Sequence, residues 1–196
     1  VCASRTGYSD CQNTTYRMCE INRDLGKQRE QVLKNISEID RWALARMAQV
    51  AKRVEEAYEC FEFHVAYHAL YNFCVVDLSS FYLDILKDRL YTFAPHSTQR
   101  RAAQTTLFHI SDTLVRLFAP ILPFTCEEIW SHLHVDEKPF DSVHLAEFTK
   151  DIQNHRDDEL LNHWERLQEI RGQVSKNLEE SRQRKDIGNS LQAQVS

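Results

Sequence analysis

The segment EFHVAYHALYNFCVVDLSSFYLDILKDRL, Glu62 to Leu90, runs for 29 residues without a glycine or a proline. Val75-Val76 and the aromatic residues carry local strand propensity, but strands are short and this run is not. The segment therefore predicts a helix. Its apolar stripe passes through Ala66, Ala69, Leu70, Phe73 and Val76 and resumes at Phe81, Leu83, Ile85 and Leu86. Val75-Val76 and Ser79-Ser80 allow a kink or break midway. Asp77 falls inside the apolar run, where a carboxylate must be paired or hydrogen-bonded. Two readings stay open for it: a local capping group beside Ser79 and Ser80, or a salt bridge to Arg89, Arg100 or Arg101.

The helical period recurs on both sides of this segment. Upstream, Ser37 reads as an N-cap with Asp40 as the capping-box acid. Leu44, Met47, Ala51, Val54, Tyr58 and Phe61 follow as one stripe. Downstream, Thr92 to His96 forms a turn around Pro95. Ser97 caps a third helix along Leu107, Ile110, Leu114, Leu117 and Phe118, which Pro120 and Pro123 end. Thr125 to Glu128 reads as a second capping box, with Phe124 and Ile129 as its hydrophobic staple, opening a helix to about Leu133. Residues 136–150 read as a loop, extended over Ser142 to Phe148. A fifth helix covers about Asp157 to Arg184, with Gly188 as the residue after its end. Lys27 to Lys34 is compatible with a short helix and Leu191 to Val195 with the start of a strand, while residues 1–22 show no clean period. The fold class is all-α, an antiparallel bundle of four or five long helices. The organisation read from it is a lead-in over residues 1–36, a bundle over 37–150, and a long C-terminal helix with the start of a next module over 151–196.

Composition narrows the function. Four glycines and four prolines in 196 residues suit long helices with few turns. A net charge of −5 supplies no global basic field for nucleic acid, so any RNA contact needs a local cluster of Arg and Lys. The six cysteines form no C-x-x-C pair, and three lie in apolar helical runs. They predict a reducing compartment and no disulfide framework. No apolar run is read as a membrane span and no signal peptide is read at the start. A chain beginning with Val1 reads as a fragment or a processed product.

Catalytic signatures are missing. The glycines are isolated, so no loop cradles phosphate, and no Gly-x-Ser-x-Gly elbow exists. His64 and His68 stand at i and i+4, half of a metal site, but no acid or Cys at a suitable spacing completes it. His132 and His134 would diverge on a helix. No catalytic residue and no metal ligand is assigned. Groups suited to RNA are Arg41, Arg46, Lys52, Arg53, Lys87, Arg89, Arg100, Arg101 and Arg116. Arginine forks bind phosphate bidentately, and Trp42 or Tyr91 offers a face on which an unpaired base can stack. The competing reading of each is a surface salt bridge or a core aromatic.

Three stretches resemble isoleucyl-tRNA synthetases of the bacterial type. One is Ser80-Phe81-Tyr82-Leu83-Asp84-Ile85-Leu86-Lys87-Asp88-Arg89-Leu90-Tyr91. Another joins Arg100-Arg101-Ala102-Ala103-Gln104-Thr105-Thr106-Leu107 to Leu117-Phe118-Ala119-Pro120-Ile121-Leu122-Pro123-Phe124-Thr125-Cys126-Glu127-Glu128-Ile129-Trp130, whose latter half the valyl and leucyl relatives share loosely. The third is Lys185-Asp186-Ile187-Gly188-Asn189-Ser190-Leu191-Gln192-Ala193, in which Gln192 replaces the family's Glu. Ile39-Asp40-Arg41-Trp42 also resembles the start of that family's anticodon-binding domain. The resemblance covers about Ser37 to Val195.

What the resemblance implies is the anticodon-binding bundle of a class Ia synthetase, docking the anticodon stem-loop of isoleucine tRNA. The parent would activate isoleucine with ATP and magnesium and esterify it to the tRNA. The H-I-G-H and K-M-S-K-S signatures and the editing module are absent from this chain, and the zinc of many bacterial members would lie in a module beyond Ser196. The fragment alone is then not an enzyme and holds no cofactor. Its partners would be the tRNA and the catalytic and C-terminal modules of the same polypeptide, with no membrane, in a monomeric, cytoplasmic protein; a mitochondrial one is the alternative. Arg41, Trp42, Lys87, Arg89, Arg100 and Arg101 are the tRNA-binding candidates. Two other readings remain: that these residues brace the bundle and its junctions, with Asp84 and Lys87 as a helix-surface pair, or that the chain is a free-standing helical adaptor.

Overall fold

In the computed structural model the described residues are 36–133, 140–185 and 187–188, so the segments read at 27–34 and 191–195 lie outside them. Among the described residues the elements are α1 (Glu38–Glu59), α2 (Phe63–Thr92), α3 (Thr98–Phe118), α4 (Pro123–Leu133) and α5 (Asp158–Gln183), with 3-10 turns at Val143–Leu145 and Asp151–His155 and no strand. The chain divides into two compact units, 1–156 and 157–196. Helices α1 to α4 belong to the first and α5 to the second.

Helix α1 is the centre of the first unit. Leu44, Met47, Ala51 and Val54 are completely buried, as their spacing predicts, and so are Ala45 and Ala48. Small residues around the helix let neighbours approach from several directions. Helices α2 and α3 and the turn Asp151–His155 all pack on α1. Ile152 is buried and Gln153 donates from Nε2 to the Ala48 carbonyl at 3.1 Å. The stripe stops short of its expected end. Phe61 takes a left-handed backbone (φ 59°) and is 80% exposed. It occupies the position after the helix end where glycine is usual, with Glu62 N–H bonded back to Ala57 O at 2.7 Å.

The capping box expected at Ser37 is not formed. Ser37 has extended backbone (φ −67°, ψ 160°) but caps no amide. Its Oγ donates instead to Asp40 Oδ2 at 2.7 Å. Asp40 is drawn inward because stronger partners from α2 claim it.

Helix α2 does not break midway. Its centre, Phe73–Tyr82, is π-helical, flanked by α-helical Phe63–Asn72 and Leu83–Thr92. The i→i+5 pattern widens the turn and rotates the residues C-terminal to it. Val76, Leu83 and Ile85, read as inward, are exposed, whereas Asp77, Leu78, Phe81 and Tyr82 face the core. Trp42 packs edge-on to Phe81 at 5.1 Å, Asp40 meets Arg89, and Arg46 meets Asp77. Rising numbers on α1 thus meet falling numbers on α2, and the two helices are antiparallel. Asp77 pairs with neither the serines nor the three arginines proposed for it, but with Arg46 (Nε to Oδ2, 3.1 Å). Burial pushes its carboxyl above the ordinary range, and the Arg46 charge partly opposes this.

The continuous α2 is long and apolar enough, by length and composition, to cross a membrane, which no single run in the sequence suggested. Ala66, Leu70, Phe73 and Tyr82 are nonetheless core residues, and the ion pair of Asp77 lies between helices. Helix α2 is the wall of a bundle.

Ser97 caps α3 as read, accepting from Arg100 N–H at 3.3 Å. Tyr58 Oη donates to the Leu117 carbonyl at 2.7 Å and links the far ends of α1 and α3. Helix α4 begins earlier than expected, at Pro123, where proline's missing N–H is harmless. That places Thr125 inside the first turn, and neither the capping box nor the staple applies: Phe124 is 90% exposed. Glu127 binds Ser142 Oγ at 2.8 Å and Val143 N–H at 3.1 Å, which curls Val143–Leu145 into a 3-10 turn within the stretch 142–148 that was expected to be extended. Val115, Ala119, Cys126, Trp130 and Val143 form the small core beneath this turn.

In the second unit Asp157 caps α5, accepting from Leu160 N–H at 2.9 Å. Lys185 (φ 63°), and not Gly188, takes the left-handed position after α5.

Candidate nucleic-acid interface

The antiparallel packing of α1 on α2 and the short turn between α2 and α3 bring three helix ends together. The start of α1 carries Arg41, the last turns of α2 carry Lys87, Arg89 and Tyr91, and the start of α3 carries Arg100 and Arg101. All six candidates from the sequence thus fall at one end of the first unit. They are not equivalent there.

Two of them are inside the bundle. Trp42 is 3% exposed and its ring packs on Phe81, so no base can stack on it. Arg89 donates through Nη1 and Nη2 to the two oxygens of Asp40, at 2.8 and 3.0 Å. Asp40 is completely buried and also accepts from Tyr82 Oη at 2.8 Å. Burial, then the Asp40 charge, raises the Tyr82 phenol well above its ordinary value and keeps it a donor. Asp40 lies in the first turn of α1 and Arg89 in the last turn of α2, so each charge also suits its own helix dipole. With both prongs of its fork on a buried carboxylate, Arg89 cannot grip a phosphate. It braces the end of the bundle.

The other four remain at the surface to different degrees. Arg41 is exposed and makes no ion pair with another described residue. Lys87 is exposed and donates to Asp84 at 2.7 Å, the helix-surface pair read from the sequence. Hydrogen bonding to Asp84, then its charge, raises the ammonium above its ordinary value. Arg100 is half-buried and donates from Nη1 to the Phe93 carbonyl at 3.1 Å, which holds the α2–α3 turn. Arg101 Nη2 lies 2.9 Å from His96 Nδ1. His96 is a residue that the sequence presented only as part of a turn; the one signal was its i,i+5 spacing from an arginine across that turn. Tyr91 is 72% exposed. Glu38, Asp84 and Asp88 share this end and reduce its positive field.

The other cations read as suited to RNA, Arg46, Lys52, Arg53 and Arg116, lie elsewhere on the first unit. Arg116 lies 4.9 Å over the Trp130 ring and binds Asp112 and the Glu147 carbonyl. Lys52 pairs with Glu56. His64 and His68 are exposed, and among the described residues no group of three His, Cys, Asp or Glu is placed to hold a metal ion.

Fold and surface together define a helical domain with a cationic end and no catalytic constellation among its described residues. Residues 40–196 match the family described as the anticodon-binding domain of tRNA ligase, and the chain belongs to that family. It is 51% identical over 158 residues to an isoleucine–tRNA ligase of Syntrophotalea carbinolica, an alignment covering 81% of this chain and 17% of that protein. Against the isoleucine–tRNA ligase of Caldanaerobacter subterraneus subsp. tengcongensis it is 48% identical over 163 residues, covering 83% of the chain and 18% of the relative. Against that of Moorella thermoacetica it is 45% identical over 190 residues, covering 96% and 20%. The chain thus spans a fifth or less of the length of these relatives.

Proposed function

We propose that this chain is the anticodon-side module of an isoleucine–tRNA ligase and binds the anticodon stem-loop of isoleucine tRNA. What carries the reading is the cationic end of a domain in the anticodon-binding family: four surface cations and an exposed tyrosine, presented by three helix ends. Arg41, Lys87 and Arg101 would contact phosphate, and Tyr91 would stack on an unpaired base. Arg100 fixes the α2–α3 turn through Nη1 and its Nε is buried, so only Nη2 would be left for RNA. The parent would use ATP and magnesium to attach isoleucine, and any zinc would belong to a C-terminal module; none of this chemistry would fall to this chain. A monomeric, cytoplasmic protein is the setting proposed, with a mitochondrial one as the alternative.

The bracing reading is favoured for two residues. The Asp40–Arg89–Tyr82 network and the packing of Trp42 on Phe81 support a structural role for Arg89 and Trp42. The division can be tested by binding the chain to isoleucine tRNA and to one non-cognate tRNA. Arg41→Ala with Arg101→Ala is expected to weaken cognate binding without changing the thermal melt. Unaltered binding by that double variant would end the proposal.

A further inference from the structure

Exposed positions along α2 recur every four residues, from Phe63 and His64 to Lys87 and Asp88. The outward face they make carries Phe63, Tyr67, Tyr71, Val75, Val76 and Leu83, between 38% and 58% exposed, interleaved with the exposed polar residues His64, His68, Asn72, Ser79 and Ser80. Tyr67 and Tyr71 stack on each other at 5.9 Å. From Phe63 to Leu83 the helix carries one charged residue, Asp77, and that one is buried against Arg46. Solvated helix faces carry charges, and the π-helical centre is what keeps this face in line. The face is about 30 Å long at the ordinary helical rise. Apolar patches of this extent mark interfaces.

We infer that the outward face of α2 is the docking surface for another module of the same polypeptide, one that presents an apolar, uncharged surface. The inference rests on the reading of this chain as part of a longer ligase. Three observations favour that occupant. Between Phe63 and Leu83 the face has no lysine or arginine to neutralise phosphate, so RNA is a poor match there, unlike the cationic end that begins at Lys87. An apolar patch bounded by Glu62 and Asp84 suits a neutral partner with polar edges. The relatives are at least five times the length covered by the alignments, so a tethered module is available at high effective concentration.

The test is hydroxyl-radical footprinting of the full-length protein, with Tyr91 as the internal control. Loss of modification at Tyr67 and Tyr71 relative to Tyr91, independent of protein concentration and of tRNA, is expected. Tyr71→Lys in the same protein should restore modification at Tyr67 and open a protease-sensitive junction between modules. Equal modification of all three tyrosines would overturn the inference. So would protection that vanishes on dilution, which means a second copy, or protection that needs added tRNA or phosphatidylcholine vesicles. Exposed tyrosines in a protein that still charges isoleucine tRNA would refute the docking alone. Failure to charge it would refute the reading beneath.

Discussion

Asp40 and Arg89 are 49 positions apart and form the most consequential ion pair at the cationic end. Removing one member of a buried pair strands the other, which costs about 3–5 kcal/mol. Arg89→Ala should therefore lower the denaturation midpoint sharply, and Asp40→Asn should do the same. Arg89→Lys should recover only part of the loss, because an ammonium cannot span both carboxylate oxygens. A denaturation series in which Arg89→Ala melts like the parent would remove the bracing role. His155 offers a different measurement. Its imidazole is held below its ordinary value of 6.5, first by burial, with Asp151 opposing. It faces the His109 ring at 6.2 Å. The folded state therefore keeps His155 neutral where the unfolded chain takes up a proton. Stability should be lost as pH falls through about 6.5, and His155→Gln should flatten that decline. An unchanged pH profile in the variant would show that another group is responsible.

At the scale of elements, the α1–α2 turn carries a local conflict. Phe61 holds a left-handed backbone that disfavours a side chain, and its ring is largely in solvent. Phe61→Gly should relieve this and raise stability by about 1 kcal/mol, since little packing is lost. A lower melting temperature would mean that the contact of Phe61 with Phe63 matters more than the backbone. The same turn shows what the sequence could reveal. Helices α1, α2, α3 and α5 were legible because length and period, and for α3 the cap Ser97, agree with the tertiary structure. The π-helical centre of α2 was not, because a four-residue pattern over ten positions looks like an α-helix with a fault. Once the turn widens, Val76, Leu83 and Ile85 leave the core and Asp77 enters it. The candidate site was legible by residue type and motif membership alone. Separating Arg89 from Arg41 needed to know which helix faced which, because Asp40 lies 49 residues upstream of its partner.

For the whole molecule, a net charge of −5 and a cationic end make opposite claims on RNA. The global charge repels a polyanion at long range, while the three helix ends would supply the proposed contacts at short range. Binding should then be strongly salt-dependent, with the slope set by the few cations that reach phosphate. Each lost phosphate contact should reduce the slope of log affinity against log salt by about 0.7–0.9. Arg101→Gln and Arg41→Gln should each do so. Lys52→Gln should leave the slope unchanged, because Lys52 lies further along α1 and pairs with Glu56. Titrations of the three variants against isoleucine tRNA between low and physiological salt decide the matter. A slope that falls equally for Lys52→Gln would mean a diffuse field and no local interface. A slope that falls only for the two arginines would place the phosphate backbone across the junction of α1, α2 and α3. The apolar face of α2 would then be left for protein, and the domain would divide its surface between RNA and the rest of its own chain.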